Sequence, residues 1–276
     1  MLEKRLKDTD LAFLDVETTG ITPFAGDRMC EIAVLRTKGH RMARVFSTLL
    51  NPGRPISPGA SMINGITDDM VKDAPAFRSV AREVLSLLEN CVIVGHNISF
   101  DLRFLASTLG GLHLEMPFQF ALDTLRLARK NFRFASNSLS SLVAAFNVKE
   151  EGFHRALPDV YSTKRVFAAM VRKFGGWENL TVGDLVKLQG GEILPVEAQR
   201  LILPDFLEEA LRQGRPLRIR YKDIRGALSV RVIQPQEVSP GKGGVIYLTG
   251  ECFLRGGTRT FRLDRILQMN PLEDIE

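Results

Sequence analysis

The chain has 276 residues, 45% of them hydrophobic, enough for one large domain or two smaller ones with proper cores. Its 37 Lys and Arg against 32 Asp and Glu leave a net charge of +5, a balance that suits polyanionic partners and equally suits plain solubility. No apolar run nears the ~18 residues of a bilayer span, MLEKRLKDTD lacks a signal-peptide core, and Cys30, Cys91 and Cys252 lie far apart without metal-ligand spacing; membrane, secreted and zinc-finger classes are set aside and a cytoplasmic location is expected.

In chain order, residues 11–16 (LAFLDV) form a short apolar strand ending in acid. MCEIAVLRTKG and ARVFSTLLNP follow with strand character, which predicts an antiparallel meander. PISPGASMINGITDDMV is turn-rich and holds a short helix. PAFRSVAREVLSLLEN repeats apolar residues at Phe77, Val80, Val84, Leu87 and Leu88, a helical spacing. CVIVGHN predicts a buried strand, and FDLRFLASTLG a helix stopped at Gly110 and Gly111. TLRLARKNF, SLSSLVAAFNV and PDVYSTKRVFAAMVRKFG predict three more helices, the last with Pro158 in its first turn. Residues 176–204, poor in basic residues, read as a connector with one short helix from Thr181. PDFLEEALRQG is an amphipathic helix stopped by Gly214. From Leu217 the pattern turns to β, as LRIRY, LSVRVIQPQEV, VIYLTGECFL and TRTFRLDRI with tight turns between them. Alternation of Arg with apolar residues predicts one basic and one buried face. The expected organisation is an α/β domain over 1–175, a connector over 176–204 and a small β-rich domain over 205–276. Within the last, residues 212–265 carry 12 basic and 4 acidic residues.

Three segments carry carboxylates that a plain core would exclude. Asp15 and Glu17 stand two apart, so a strand puts both on one side while Val16 points the other way. Neighbouring acids repel and raise each other's pKa unless a cation lies between them, and a hard divalent ion with oxygen ligands suits such a pair. Asp101 follows GHNISF at the start of a helix; alone, it reads as a helix N-terminal charge. His154 and Asp159 are five apart, about 140° around a continuous helix, so the helix is expected to start near Pro158 with His154 in the loop before it. Alone, His154 reads as an exposed loop histidine; beside a metal site it is a candidate general base.

Together these segments resemble the histidine-containing branch of the DEDD exonuclease superfamily, the ribonuclease-H-like family that includes the epsilon proofreading subunit of bacterial replicative DNA polymerase. Its motif Asp-x-Glu-Thr-Thr-Gly stands at Asp15 to Gly20, His-Asn-x-x-Phe-Asp at His96 to Asp101, and His-x-Ala-x-x-Asp at His154 to Asp159. DRMCEIAVL, INGIT at 63–67, LDT at 122–124 and NSLSSL at 137–142 echo it more weakly, and the resemblance covers about residues 9–174. It implies a ribonuclease-H-like mixed sheet flanked by helices and two Mg²⁺ or Mn²⁺ ions held by Asp15, Glu17, Asp101 and Asp159. It further implies proton transfer to His154 and release of 5′-mononucleotides from single-stranded 3′ ends, with DNA favoured over RNA. Thr18, Asn97 and Phe100 are implied near the terminal nucleotide. At Asn64, relatives often carry histidine.

LRIRYKDIRGALSVRVIQPQEV and GGVIYLTGECFLRGGTRTFRLDRI resemble the WYL domain, a small barrel of Sm or SH3 type, although Ile246 replaces its name-giving tryptophan. Tyr221, Arg231, Tyr247, Arg255, Arg259, Arg262 and Arg265 are its candidates for a nucleic-acid or nucleotide ligand, since guanidinium forks bind phosphate oxygens bidentately. The expected activity is therefore 3′→5′ exonuclease action on nucleic acid, with association to a polymerase or repair complex left open. The competing readings are an RNA-trimming exoribonuclease and a ligand-sensing regulator that keeps the nuclease fold as scaffold.

Overall fold

The computed structural model describes residues 1–21, 23, 26–149, 152, 154–195, 205–224, 226–240, 246–254 and 256–272. They fall into two compact units, one spanning residues 1–20 and 28–199, the other built on 200–276.

The first unit is organised by a five-stranded mixed sheet of order β3-β2-β1-β4-β5. β1 (Asp10–Thr18), β2 (Met29–Lys38) and β3 (Arg41–Leu49) form the antiparallel meander; β4 (Val92–Gly95) and β5 (Ala121–Asp123) add in parallel. Strand alternation divides the core in two. Leu11, Phe13, Ala33, Leu35, Val92 and Val94 face one side, against α5 (Thr124–Asn131), α6 (Leu139–Ala145), α7 (Ala156–Phe174) and α8 (Val182–Gln189). Ala12, Leu14, Val16, Ile32, Val34 and Ile93 face the other, against α3 (Phe77–Leu88) and α4 (Ser99–Gly111). The central strands are buried on both faces, which is why they read as nearly continuous apolar runs. Short helices α1 (Pro58–Asn64) and α2 (Asp68–Val71) fill the turn-rich segment.

The segment read as a connector from residue 176 differs from that expectation. α8 starts at a capping box between Thr181 and Asp184, and Leu180, Val182, Leu185 and Val186 join the first unit's core. Gln189 then serves as an extension of the sheet edge: its amide accepts from Asp123 N (2.9 Å) and donates to Ala121 O (3.0 Å). Ala121 N also donates to Ile193 O. Polar and Gly-rich composition concealed four apolar anchors that bury against distant elements, α5 and β5 among them. Residues 196–204 lie outside the described residues.

The second unit is a five-stranded antiparallel sheet of order β10-β6-β7-β8-β9, with α9 (Asp205–Gln213) against it. β6 (Leu217–Lys222), β7 (Leu228–Pro240), β8 (Ile246–Cys252) and β9 (Thr258–Arg262) form a meander. TRTFRLDRI, read as one strand, breaks at a 3-10 turn over Leu263–Arg265, and β10 (Ile266–Pro271) returns to pair with β6. Leu217, Ile219, Ile233, Leu248 and Phe261 pack with Leu207 and Ala210 of α9. The predicted alternation is realised in β6, where Leu217 and Ile219 are buried and Arg218 and Arg220 exposed. Among the described residues no helix is long and apolar enough to cross a membrane.

Candidate metal centre

The alternation that builds the two cores also builds the site. On the α3/α4 side of β1 the apolar series continues through Leu14 and Val16. On the α7 side it runs Leu11, Phe13 and then turns to Asp15 and Glu17. Both carboxylates are half-buried and share the sheet face against which α7 packs. α7 begins beside them, as the Pro158 argument anticipated: Arg155 is its N-cap, Asp159 lies in its first turn, and His154 precedes it in a left-handed conformation at φ 60°. Oxygen atoms of Asp15, Glu17 and Asp159 lie within 4.8 Å of one another.

Asp101 reaches the site differently. β4 pairs with β1 only from Leu11 to Phe13, so the β1 edge beyond has spare N–H groups. Val16 N donates to Asp101 Oδ1 at 2.9 Å, tying the start of α4 to the middle of the acidic pair. Asp101 is only 4% exposed. It stands outside the three-carboxylate cluster but acts on Asp15 electrostatically.

Burial pushes all four carboxyls upward, and mutual repulsion adds to it. Asp15 rises well above the ordinary range through desolvation and then the charges of Asp101, Asp159 and Glu17. Glu17 rises to about 7, chiefly by burial and then by Asp159. Asp159 rises to about 6 by burial, opposed by the His154 N–H, which donates to its Oδ2 at 3.2 Å, and by the His154 charge. Asp101 also rises by burial, although the Val16 N–H opposes it. Asp159 Oδ1 is buried with no hydrogen-bond donor. A hard divalent cation fits this set: it supplies the missing partner of that oxygen and the positive charge that all-oxygen ligands demand.

Glu31 belongs to the site although the sequence reading passed it over. It is the register partner of Glu17, lies on the same face, and is 4% exposed. Its carboxylate accepts from Arg155 Nε (3.0 Å) and Nη2 (2.7 Å) and from Ala156 N (2.9 Å). Glu31 thus clamps the N-terminus of α7 and sets where Asp159 falls. The available signal was an acid in the middle of MCEIAVL, one β-strand period from the core residue Ala33.

Of the implied nucleotide contacts, Asn97 and Phe100 lie together, Phe100 N donating to Asn97 O at 2.9 Å. Thr18 is buried and its hydroxyl donates to Gly20 O within the turn. Asn97 is exposed at φ 60°, with its N–H donating to Asp123 Oδ1. Phe100 is half-buried and packs on Phe104, ring centroids 5.0 Å apart. Asn64 Nδ2 donates to Thr18 O at 3.3 Å, and its side chain opposes the upward shift of Glu17. His96 is held neutral, its pKa lowered to about 4 by burial, and bonds Thr124 Oγ1 at 2.9 Å.

In the second unit the six described candidates do not form one cluster. Tyr221 and Arg231 lie on the inner side, Tyr221 edge-on to Phe261 at 5.2 Å and the Arg231 guanidinium 5.9 Å over the same ring. Tyr247 and Arg262 are register partners on the opposite side, and Arg262 is bound bidentately by Asp264 (3.0 and 2.7 Å). Arg259 is exposed opposite Gly250, and Arg265 sits half-buried in the 3-10 turn. Arg255 lies outside the described residues.

Residues 12–167 match the family model described as Exonuclease, and residues 205–271 match that of the WYL domain. The chain is 36% identical over 174 residues to a DNA polymerase III PolC-type of Thermotoga maritima, covering 61% of this chain and 12% of that protein. It is 37% identical over 178 residues to a DNA polymerase III subunit epsilon-like protein of Rhodobacter capsulatus, covering 62% and 25%. The chain therefore spans a quarter or less of these curated relatives. Among solved structures, exonuclease X in complex with 5′-overhanging duplex DNA matches with a TM-score of 0.53 and 28% identity. That match covers 65% of this chain and 99% of that one.

Proposed function

This chain belongs to the exonuclease family, whose model covers residues 12–167, and from that premise we propose that it is a divalent-metal-dependent 3′→5′ exonuclease acting on single-stranded nucleic acid ends, DNA in preference to RNA. The observation that carries the reading is the convergence of Asp15, Glu17 and Asp159 oxygens within 4.8 Å, with one Asp159 oxygen buried and unpartnered.

Asp15, Glu17 and Asp159, with Asp101 beside them, would hold the ions, two Mg²⁺ or Mn²⁺. When bound, these supply Lewis acidity at the phosphoryl group and acidify water. His154, exposed at the mouth of the site and fixed through its own N–H to Asp159, takes the proton from the attacking water. The water oxygen bonds the terminal phosphorus as the phosphorus–3′-oxygen bond breaks; the 3′ oxygen takes a proton from solvent and leaves as the hydroxyl of the shortened strand, and a 5′-mononucleotide departs. Glu31 and Arg155 hold the first turn of α7 so that Asp159 and His154 keep their spacing. Thr18, Asn97 and Phe100 border the terminal nucleotide. The second unit binds nucleic acid or a nucleotide, with Tyr221, Arg231, Tyr247, Arg255, Arg259, Arg262 and Arg265 as candidate contacts. The relatives' polymerase names support association with a polymerase, a repair complex being the alternative, and a cytoplasmic location suits three buried, free cysteines. A panel of single- and double-stranded DNA and RNA, with either end blocked, tests the proposal: mononucleotides should accumulate only from free 3′ ends and only with divalent metal. Release from blocked 3′ ends, or equal release in chelator, would overturn it.

A further inference from the structure

β6 presents Arg218, Arg220 and Lys222 at alternate positions, all exposed, on the side opposite the core residues Leu217 and Ile219. At the rise of a strand, successive cations stand about 6.7 Å apart, comparable with neighbouring phosphates in an extended single strand. The register defines the rest of this face. Arg218 stands opposite Val232 on β7 and Asn270 on β10, Arg220 opposite Val230 and Gln268, and Lys222 opposite Leu228. A cationic row is therefore flanked by an apolar row on one side and a neutral polar row on the other, with no acid among these positions. Leu228 and Val230 are 53% and 58% exposed, unusual for aliphatic side chains in a row. Among the described residues none of the three cations has an ion-pair partner. Arg262, by contrast, is already neutralised by Asp264.

We propose that this face of β10, β6 and β7 binds single-stranded nucleic acid, phosphates running along Arg218, Arg220 and Lys222 and unpaired bases covering Leu228 and Val230. The pairing of the two rows selects the occupant. A duplex would offer phosphates but keep its bases stacked inside, leaving the apolar row exposed. Free phosphate would use one cation and leave the row unexplained. An unpaired strand offers both an anionic backbone and apolar base faces at strand-like spacing. The proposal rests on the reading of the chain as a nuclease of unpaired ends, and it adds residues that are not among the aromatic and arginine candidates named above.

The test uses the full chain in chelator, so that the strand survives, and follows anisotropy of a labelled oligodeoxynucleotide as salt is varied. Combined R218A, R220A and K222A should weaken binding at least tenfold at low salt. It should also flatten the plot of log affinity against log salt by about 2, from three phosphate contacts at ~0.7 each. L228S with V230S should weaken binding severalfold and leave that slope unchanged. R218K with R220K should retain the wild-type slope. Unchanged affinity and slope in the alanine variant would overturn the proposal. So would a lysine variant as weak as the alanine one, since the loss would then be of fold rather than charge, and so would phosphatidylserine vesicles that outcompete the strand. Hydrolysis of a chromogenic nucleotide diester by the wild-type chain with Mn²⁺ tests the nuclease reading separately. Hydrolysis with an unchanged salt slope sinks only the surface; no hydrolysis sinks the reading beneath it.

Discussion

The two units treat charge in opposite ways. In the first, Asp15, Glu17, Asp101 and Asp159 are drawn together out of water, and every one is pushed toward its neutral form. In the second, Arg218, Arg220 and Lys222 are spread along one strand in full contact with solvent. Crowded, desolvated like charges are costly until a counter-ion joins them, so the acidic cluster reads as a metal site. Separated, hydrated cations cost little and remain available to a partner, so the β6 row reads as a surface.

The sharpest way to break this contrast is at its most crowded point. Asp15→Asn should lower mononucleotide release at least ~10³-fold, because it removes a ligand from the proposed centre. The same change should raise the melting temperature of the metal-free protein by relieving repulsion. A variant that melts lower and cleaves normally would show that the cluster is merely structural.

Truncation separates the units. A chain ending at 204 should melt like the first unit of the intact protein. One ending at 175 should lose several kcal/mol, since the fully buried Val182 and Leu185 are each worth roughly 1.5–3 kcal/mol. Equal melting of the two truncations would place α8 outside the first unit's core.

Glu31 lies between these extremes, a buried acid that is paired. Glu31→Gln should reduce kcat about 10²-fold with little change in KM, the cost of misplacing Asp159 by about an ångström. Arg155→Ala leaves buried Glu31 with the Ala156 N–H but without its guanidinium partner. It should destabilise by about 2 kcal/mol, below the value for a fully buried pair because Arg155 is partly solvated.

The smallest expected effect is on pH. Glu17 and Asp159 have folded pKa values of about 7 and about 6, above their ordinary values of 4.5 and 3.8. Between those limits the folded metal-free chain binds more protons than the unfolded one, so its stability falls as pH rises from about 4 to 7. Metal replaces those protons. The rise in melting temperature on adding Mn²⁺ should therefore be greater at pH 8 than at pH 5.5, and a shift independent of pH would detach the ion from these carboxylates.

Much of the site was legible because it is written locally. Asp15 and Glu17 interrupt an alternating apolar pattern and Pro158 marks a helix start, each through the backbone geometry of a few adjacent residues, whereas Gly110 and Gly111, read as a helix stop, lie inside α4, which is capped at Leu112. Glu31 was overlooked because its partner Arg155 is 124 residues away, and nothing local announces a pair that only the packing of α7 on β2 creates. The short helix expected from Thr181 is α8, but its packing into the first unit was not legible for the same reason: its neighbours spell a polar, Gly-rich linker, while its apolar anchors meet the core only in three dimensions.

The sequence by itself determined the period of each strand and helix, which carboxylates stand out, and the basic bias of the second unit, because propensity and alternation act over a few residues. Only tertiary structure decided that oxygens of three of those carboxylates meet, that Arg262 pairs with Asp264, and that the β6 row is exposed and, among the described residues, without an ion-pair partner. Those outcomes depend on which strands become neighbours and in what register, and long-range burial selects that among many locally equivalent pairings.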